Sequence, residues 1–436
     1  MPARTCGRGT RVAILAGLLW AATLAFPTAG QDAHTALPSS YRIEQLTTGP
    51  RHHFYGYQGH AGNTPFNASG THVVFLETDF QDRQARKTDV AEIVLVDLAT
   101  KNKTTLTQTR AWNFQQGTMM YWNPLAPDEE IIFNDRDAIT DKVKTVLFNV
   151  KTKRRVKEWF FPSTPFGNSG VAQKGGKFLG INYGRLGRLR TITGYPGAYD
   201  WTFGVKCPAN DGIWLVNAAT GTEKLLFSFE QLRDLFVAQT PDIAKYDLFI
   251  NHTLWNRDDT RFLAAVRWFD SEHRLKGVWF TCKPDGTDVF PFKTDVGHPD
   301  WVGGTNLMTG LGVVYETRTT TLVETVDKAF FKQDGDLSIS RGLNWLASCE
   351  YKRNPGKTQD MRVFIYSRAA KAGIHFPWYS RGVYFWNNKE DYRDENRIDV
   401  SPCWNRDATK IYFFALAEDG TRQAFVVHLD WESLTK

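Results

Sequence analysis

The chain has 436 residues, with 53 Lys and Arg against 47 Asp and Glu and a formal charge of +6. Three arginines, Arg4, Arg8 and Arg11, stand in the first 30 residues, which hold no acid, so the remainder is nearly balanced at 50 basic against 47 acidic side chains. That balance argues against a dedicated nucleic-acid binder and leaves room for a local basic cleft that receives an anion.

The opening reads as a targeting segment. The arginines are followed by an apolar run from Val12 to Phe26, about 15 residues, and by the small-residue stretch Pro27-Thr28-Ala29-Gly30. We expect residues 1–30 to be a signal peptide, with an uncleaved anchor as the alternative. Residues 31–436 are then one domain, monomeric, in the periplasm or outside the cell. No later stretch is long and apolar enough to span a bilayer, so no membrane contact is expected after cleavage. Cys207, Cys282, Cys349 and Cys403 lie far apart with no CxxC spacing, and we expect buried thiols with at most one bridge. Asn67, Asn102 and Asn251 stand in glycosylation sequons, which matter only in a host that glycosylates.

Beyond the leader the chain shows short β-branched and aromatic runs broken by Asn, Asp, Gly and Pro, with one short helix near Ser228–Val237. The runs recur as units: an aromatic approach, a polar turn, a strand, then a second strand. Unit one has Pro65-Phe-Asn before THVVFLE, unit two Tyr121-Trp-Asn-Pro before EEIIFND, and unit three the weaker Val171-Ala-Gln before KFLGINY. Unit four has Leu254-Trp-Asn before TRFLAAVRW, unit five Pro299-Asp-Trp before NLMTGL, unit six Leu337-Ser-Ile before LNWLASCEY and unit seven Cys403-Trp-Asn before TKIYFFAL. Seven such units predict an all-β fold, a seven-bladed β-propeller. The last unit stops after its third strand, and Tyr41-Arg-Ile-Glu-Gln-Leu-Thr-Thr suits the missing outer strand, so an N-terminal strand closes the ring and hides an edge. A pair of β-sandwiches is the competing architecture.

Blades converge on an axis, and the residues just before each aromatic turn face a central funnel. Here they are polar: His52, His53 and His60, then Gln115 and Gln116, Asn251 and His252, His298 and Asp300, Asp334 and Asp336, Arg397 and Asp399. Clustered histidines suit proton transfer or metal binding. The alternative is that polar inner strands satisfy one another around a wet channel. His72 stands in a strand whose alternation points it outward. The arginine-rich stretch Tyr183–Arg190 either clamps an anion or is a solvated loop.

Several of these stretches carry a resemblance. His52-His-Phe-Tyr-Gly-Tyr-Gln-Gly-His60, Phe80-Gln-Asp-Arg83, Arg110-Ala-Trp-Asn-Phe-Gln-Gln-Gly117, Tyr121-Trp-Asn-Pro124, Phe133-Asn-Asp-Arg136 and Asn251-His-Thr-Leu-Trp-Asn256 are similar to propeller-type polysaccharide lyases. These include oligogalacturonate lyase, ulvan lyases and rhamnose–glucuronate lyases. The resemblance implies β-elimination at a uronic acid of an anionic oligo- or polysaccharide. A base takes the C5 proton, a cation neutralises the adjacent carboxylate, and an acid protonates the departing O4. It implies His53, His52 or His60 as base, with Tyr121 and Arg136 resembling a Tyr–Arg pair, and His252 placed like the base of the oligogalacturonate branch. Gln116, His52, Arg185 and Arg188 become substrate-binding candidates. His298 resembles a metal-binding histidine of that branch. Downstream positions that are His-rich there read Asp334-Gly-Asp336 and Asp399-Val-Ser401 here, so any metal is a Ca²⁺ or Mn²⁺ held by His298, Asp336 and Asp399. The rival function is a non-catalytic propeller that binds glycan or protein. A hydrolase finds no carboxylate pair at a recognisable spacing.

Overall fold

The structure is a computed structural model that describes residues 34–56, 62–292, 295–355, 358–383 and 398–431. The segment read as a signal peptide, His60 and Arg397 lie outside the described residues. The chain folds into seven antiparallel sheets, one per sequence unit, arranged as a seven-bladed propeller. The inner strands of blades one to seven are His52–Phe54, Tyr121–Trp122, Gly167–Val171, Phe249–Trp255, Asp300–Gly303, Ser338–Ile339 and Cys403–Trp404.

The recurring aromatic turn has an architectural cause. The Trp122 indole donates to the Pro65 carbonyl of the preceding blade at 2.7 Å, Trp255 to Gly170 at 2.9 Å and Trp301 to Leu254 at 3.1 Å. Each indole fills the wedge between two blades while its N–H is satisfied on the neighbour's inner strand. The Asn that follows closes the hairpin: Asn67 Oδ1 accepts the His72 N–H, Asn256 Oδ1 that of Arg261 and Asn405 Oδ1 that of Lys410. Trp-Asn is therefore a blade-to-blade staple followed by a turn lock.

The ring closes as the sequence predicts. Ser40–Gln45 pairs antiparallel with Arg422–Asp430, from Ser40 opposite Asp430 to Gln45 opposite Phe425, and becomes the outer strand of blade seven. Glu44 accepts from His428 at 2.8 Å and pairs with Lys101 of blade one at 2.6 Å, which fastens the seam on its outer side. The predicted short helix is Phe229–Phe236, with Ser228 and Gln231 forming a capping box. The four cysteines among the described residues are free thiols, three of them buried. No helix among the described residues is long and apolar enough to cross a membrane.

Two departures from a regular blade shape the upper face, where inner strands begin and second strands end. In blade six the fourth strand is broken into Ala372–His375 and Tyr379–Val383, both paired with the long third strand Thr358–Ser367. In blade three an insertion of residues 182–211 separates the second strand, Lys177–Ile181, from the third, Gly212–Asn217. It opens with a short helix, Tyr183–Leu189, capped by Asn182.

Candidate active site

A cavity of about 470 Å³ opens on the upper face between blades five, six and seven. His298, Asp336 and Asp399 reach it from the segments that lead into inner strands, and Tyr351, Arg353, Gln359 and Arg381 from the upper end of blade six. A smaller recess adjoins it through His298 and is lined by His252, Leu254 and Trp279.

His252 owes its position to a register shift. Pairing of Phe249–Trp255 with its neighbour skips between Ile250 and Thr253, so Asn251 and His252 leave the ladder. Gln116, buried at the mouth of blade two, donates to Asn251 Oδ1 at 2.8 Å and contacts His252 Nδ1 at 2.7 Å. The imidazole is thus oriented through one nitrogen, and a residue 136 positions away holds it.

His298 is held by carboxylates. Its backbone N–H and Nδ1 both meet Asp334, at 3.1 and 2.9 Å, and Nε2 lies 3.8 Å from Asp336. Gly297, at φ +61°, makes this possible, because a Cβ there would collide with the Asp334 carboxylate. Burial in the funnel pulls the imidazole pKa down, but Asp334, Asp336 and Asp399 outweigh it and carry it up to about 9. Its ring is 43 % exposed, open to the cavity. At neutral pH His298 is a cation that faces solvent.

Arg381 forms the far wall. It pairs with Asp399 at 2.5 Å, donates to Gln359 at 2.8 Å and to the Ile398 carbonyl, and lies 4.3 Å over the Tyr351 ring. Arg353, exposed at the end of strand Trp345–Arg353, has no carboxylate partner among the described residues. The cavity therefore offers one committed guanidinium and one available one.

The other expected site residues have different tasks. His53 is 1 % exposed, wedged between Gln423 at 2.7 Å and Glu77 at 2.5 Å in an ion network with Arg51 and Lys103, so it faces no cavity. Burial lowers its pKa despite those partners. His52 is half-buried and accepts the Arg422 backbone N–H at 3.2 Å. Tyr121 is buried in the apolar core, where desolvation drives its hydroxyl pKa far up. Arg136 is buried and spent on Asp141 and the carbonyls of Lys87 and Arg110, tying the loops of blades one and two together. Arg185 is fully buried, donating to Thr202 and to the carbonyls of Val205, Lys206 and Leu248. Arg188 pairs with Asp200 at 2.9 Å and stays at the surface of the insertion. His72 points outward against Asp97, as its strand alternation predicts. Of the five residues expected to do chemistry, only His252 meets the cavity system among those described.

The expected metal trio shares the cavity but not a coordination geometry. Among the described residues no three His, Cys, Asp or Glu side chains converge to hold an ion. Asp399 is bound by Arg381, Asp336 accepts the Ser401 hydroxyl at 2.8 Å, and a protonated His298 offers no lone pair. Arg353, Arg381, Tyr351 and Gln359 escape a sequence reading because they stand on the outer strands of blade six rather than before an inner strand. The signal was the run Cys349-Glu-Tyr-Lys-Arg353, which continues charged beyond the usual strand length.

No family model matches the chain, and no curated protein matches it in sequence. Similar folds exist among solved structures. Oligogalacturonate lyase from Vibrio parahaemolyticus is 11 % identical with a TM-score of 0.52, over 91 % of this chain and 96 % of that one. An oligogalacturonate lyase in complex with manganese is 15 % identical with a TM-score of 0.55, over 93 % and 96 %. Over about nine-tenths of its length, the chain shares the propeller fold of these lyases.

Proposed function

We propose that this propeller is a polysaccharide lyase that cleaves beside a uronic acid of an anionic glycan. The observation that carries the reading is the shared recess of His252 and His298 beside a cavity walled by Arg353 and Arg381. Arg353 receives the uronate carboxylate and neutralises the charge that builds there as C5 loses its proton. His252 takes that proton. The C4–O4 bond breaks as the C4=C5 double bond forms, and protonated His298 delivers a proton to the departing oxygen. Tyr121 and Arg136, buried and engaged, have no part in the step.

The base role sets a condition on Gln116. In the present amide orientations Gln116 Nε2 faces both Asn251 Oδ1 and His252 Nδ1, and Asn251 Nδ2 has no hydrogen-bond partner. Turning both amides by half a rotation lets Gln116 Oε1 accept from Asn251 Nδ2 and from His252 Nδ1–H. Nδ1 then carries the proton, and Nε2 is the basic nitrogen of the His252 ring. The reading includes export by the N-terminal segment and a monomer acting on glycan without a membrane or nucleic-acid partner. The test is incubation with pectic oligomers, ulvan, gum arabic and glucuronan, followed by ultraviolet absorbance of the conjugated uronate double bond. Absence of that absorbance on every substrate, with and without added Mn²⁺ or Ca²⁺, leaves a glycan-binding propeller instead.

A further inference from the structure

The insertion of blade three carries a feature that the chemistry above does not use. Within seven residues it presents Tyr199, Phe203 and Val205, which are 45 %, 76 % and 49 % exposed. Exposed rings normally cost solubility, and a mobile loop would fold them inward. This loop is held open. Arg185, beneath it, ties Thr202, Val205 and Lys206, and Asn182 and Thr202 both bind the buried Asp211. The Tyr199 N–H is fixed to the Asp141 carbonyl of blade two at 2.9 Å, and the half-buried Trp201 donates to Asn210. The rings are pre-organised in solvent.

Each ring also has a cation beside it. Arg188 lies 5.2 Å from the Phe203 ring centre, and the Lys142 ammonium 5.7 Å from that of Tyr199. The loop rests on the same face as the cavity: Arg185 grips the carbonyl of Leu248, four residues before His252. We propose that Tyr199 and Phe203 form a second subsite, on which the apolar faces of sugar rings stack while the Lys142 ammonium, which also donates to the Pro162 carbonyl, attracts a carboxylate and Arg188, paired with Asp200, backs the Phe203 ring. The occupant is a further stretch of the anionic glycan whose bond is cleaved in the cavity, so the inference rests on the glycan reading above and adds that the substrate is an extended chain.

Affinity electrophoresis tests this without requiring turnover. The full chain and the Tyr199→Ala/Phe203→Ala variant are run in gels cast with each polymer of the panel above. Tyr199 is about half exposed and Phe203 mostly so, and neither belongs to a core cluster, so the variant retains the fold. Retardation of the parent, weakened about tenfold or more in the variant, supports the subsite, each of the two lost ring contacts being worth roughly 2- to 12-fold. Equal retardation of the two overturns it while leaving the lyase reading intact. No retardation of the parent in any gel also overturns it, and the ultraviolet assay then judges the lyase reading alone. Aromatic-dependent retardation without unsaturated product keeps the subsite and removes the lyase. In an active enzyme the variant raises KM on polymers and leaves kcat on the shortest cleavable oligomer unchanged; an equal change on both also overturns the proposal.

Discussion

Replacing each of the two cavity arginines by methionine separates binding of substrate from integrity of the wall. Arg353 is exposed and lacks a carboxylate partner among the described residues, so Arg353→Met costs little stability. It removes a charge-assisted hydrogen bond to the uronate, worth about 1.5–3 kcal/mol, so kcat/KM falls about 10- to 150-fold. Arg381 is different. Its side chain is 6 % exposed and that of Asp399 11 %, and Arg381→Met removes three hydrogen bonds while stranding a carboxylate. Breaking one side of such a pair costs about 3–5 kcal/mol, a large fraction of the roughly 5–15 kcal/mol that hold a domain together. Urea unfolding followed by tryptophan fluorescence reads the second effect, and initial rates of ultraviolet product read the first. Adding Asp399→Asn to Arg381→Met recovers part of the lost stability, because the stranded charge is gone. An Arg353→Met enzyme with unchanged kcat/KM, or an Arg381→Met protein as stable as its parent, refutes the division of labour.

His252→Gln lowers kcat by about 100-fold or more, as expected for a lost general base, with little change in the unfolding midpoint. Gln116→Glu keeps the contact to His252 but replaces an amide by a carboxylate, so the acidic limb of the pH–rate profile moves to higher pH; an unmoved limb removes Gln116 from the base assembly. His298, raised from 6.5 to about 9, contributes stability that is complete below about pH 6.5 and is lost as pH rises through about 9. The rate falls over the same upper range as the acid is lost, and His298→Gln abolishes that limb. Arg185→Met leaves the carbonyls of Val205, Lys206 and Leu248 without their donor, which costs about 3 kcal/mol or more. Trypsin then cuts the native insertion at Lys206, and equal resistance of variant and parent denies Arg185 its structural role.

The blades were legible because their signals are local. In blades two, four and five an indole bridges to the preceding blade, and in blades one, four and seven an Asn caps the hairpin that follows, so the signal lies within a few residues of sequence. The seam was legible for a related reason: a missing outer strand at one end and an orphan strand at the other imply each other. Site residues obey longer rules. Whether His53 is a base or a bolt depends on Gln423, 370 positions away, and on Glu77. Arg185 and Arg188 share one short helix, yet one turns inward onto backbone carbonyls and the other outward beside Phe203. Residue type alone does not distinguish a buried organiser from an exposed ligand. The helix that contains both escaped the sequence reading, since seven residues with two glycines give almost no periodicity.

The position of the cavity follows from a mismatch in blade height. Blade five is built from strands of four, three, four and five residues, whereas the second and third strands of blade six have nine and ten. At about 3.3 Å per residue the blade-six hairpin stands roughly 15–20 Å higher on the upper face. A wall rises beside a step, and Tyr351, Arg353 and Gln359 belong to the part of the wall above it. On the opposite side of the axis the equivalent space is filled by the blade-three insertion and by loops that Arg136 ties together. The proposed chemistry is thereby confined to one sector of the ring. The bonds from Arg381 to Asp399 and from Ser401 to Asp336 tie the raised blade to blade seven, and the His298–Asp334 pair ties it to blade five, so the charged wall is held from both sides. Selection for a different sugar acid would therefore act on the length and tip of the blade-six hairpin more readily than on the inner strands, whose residues also lock one blade to the next.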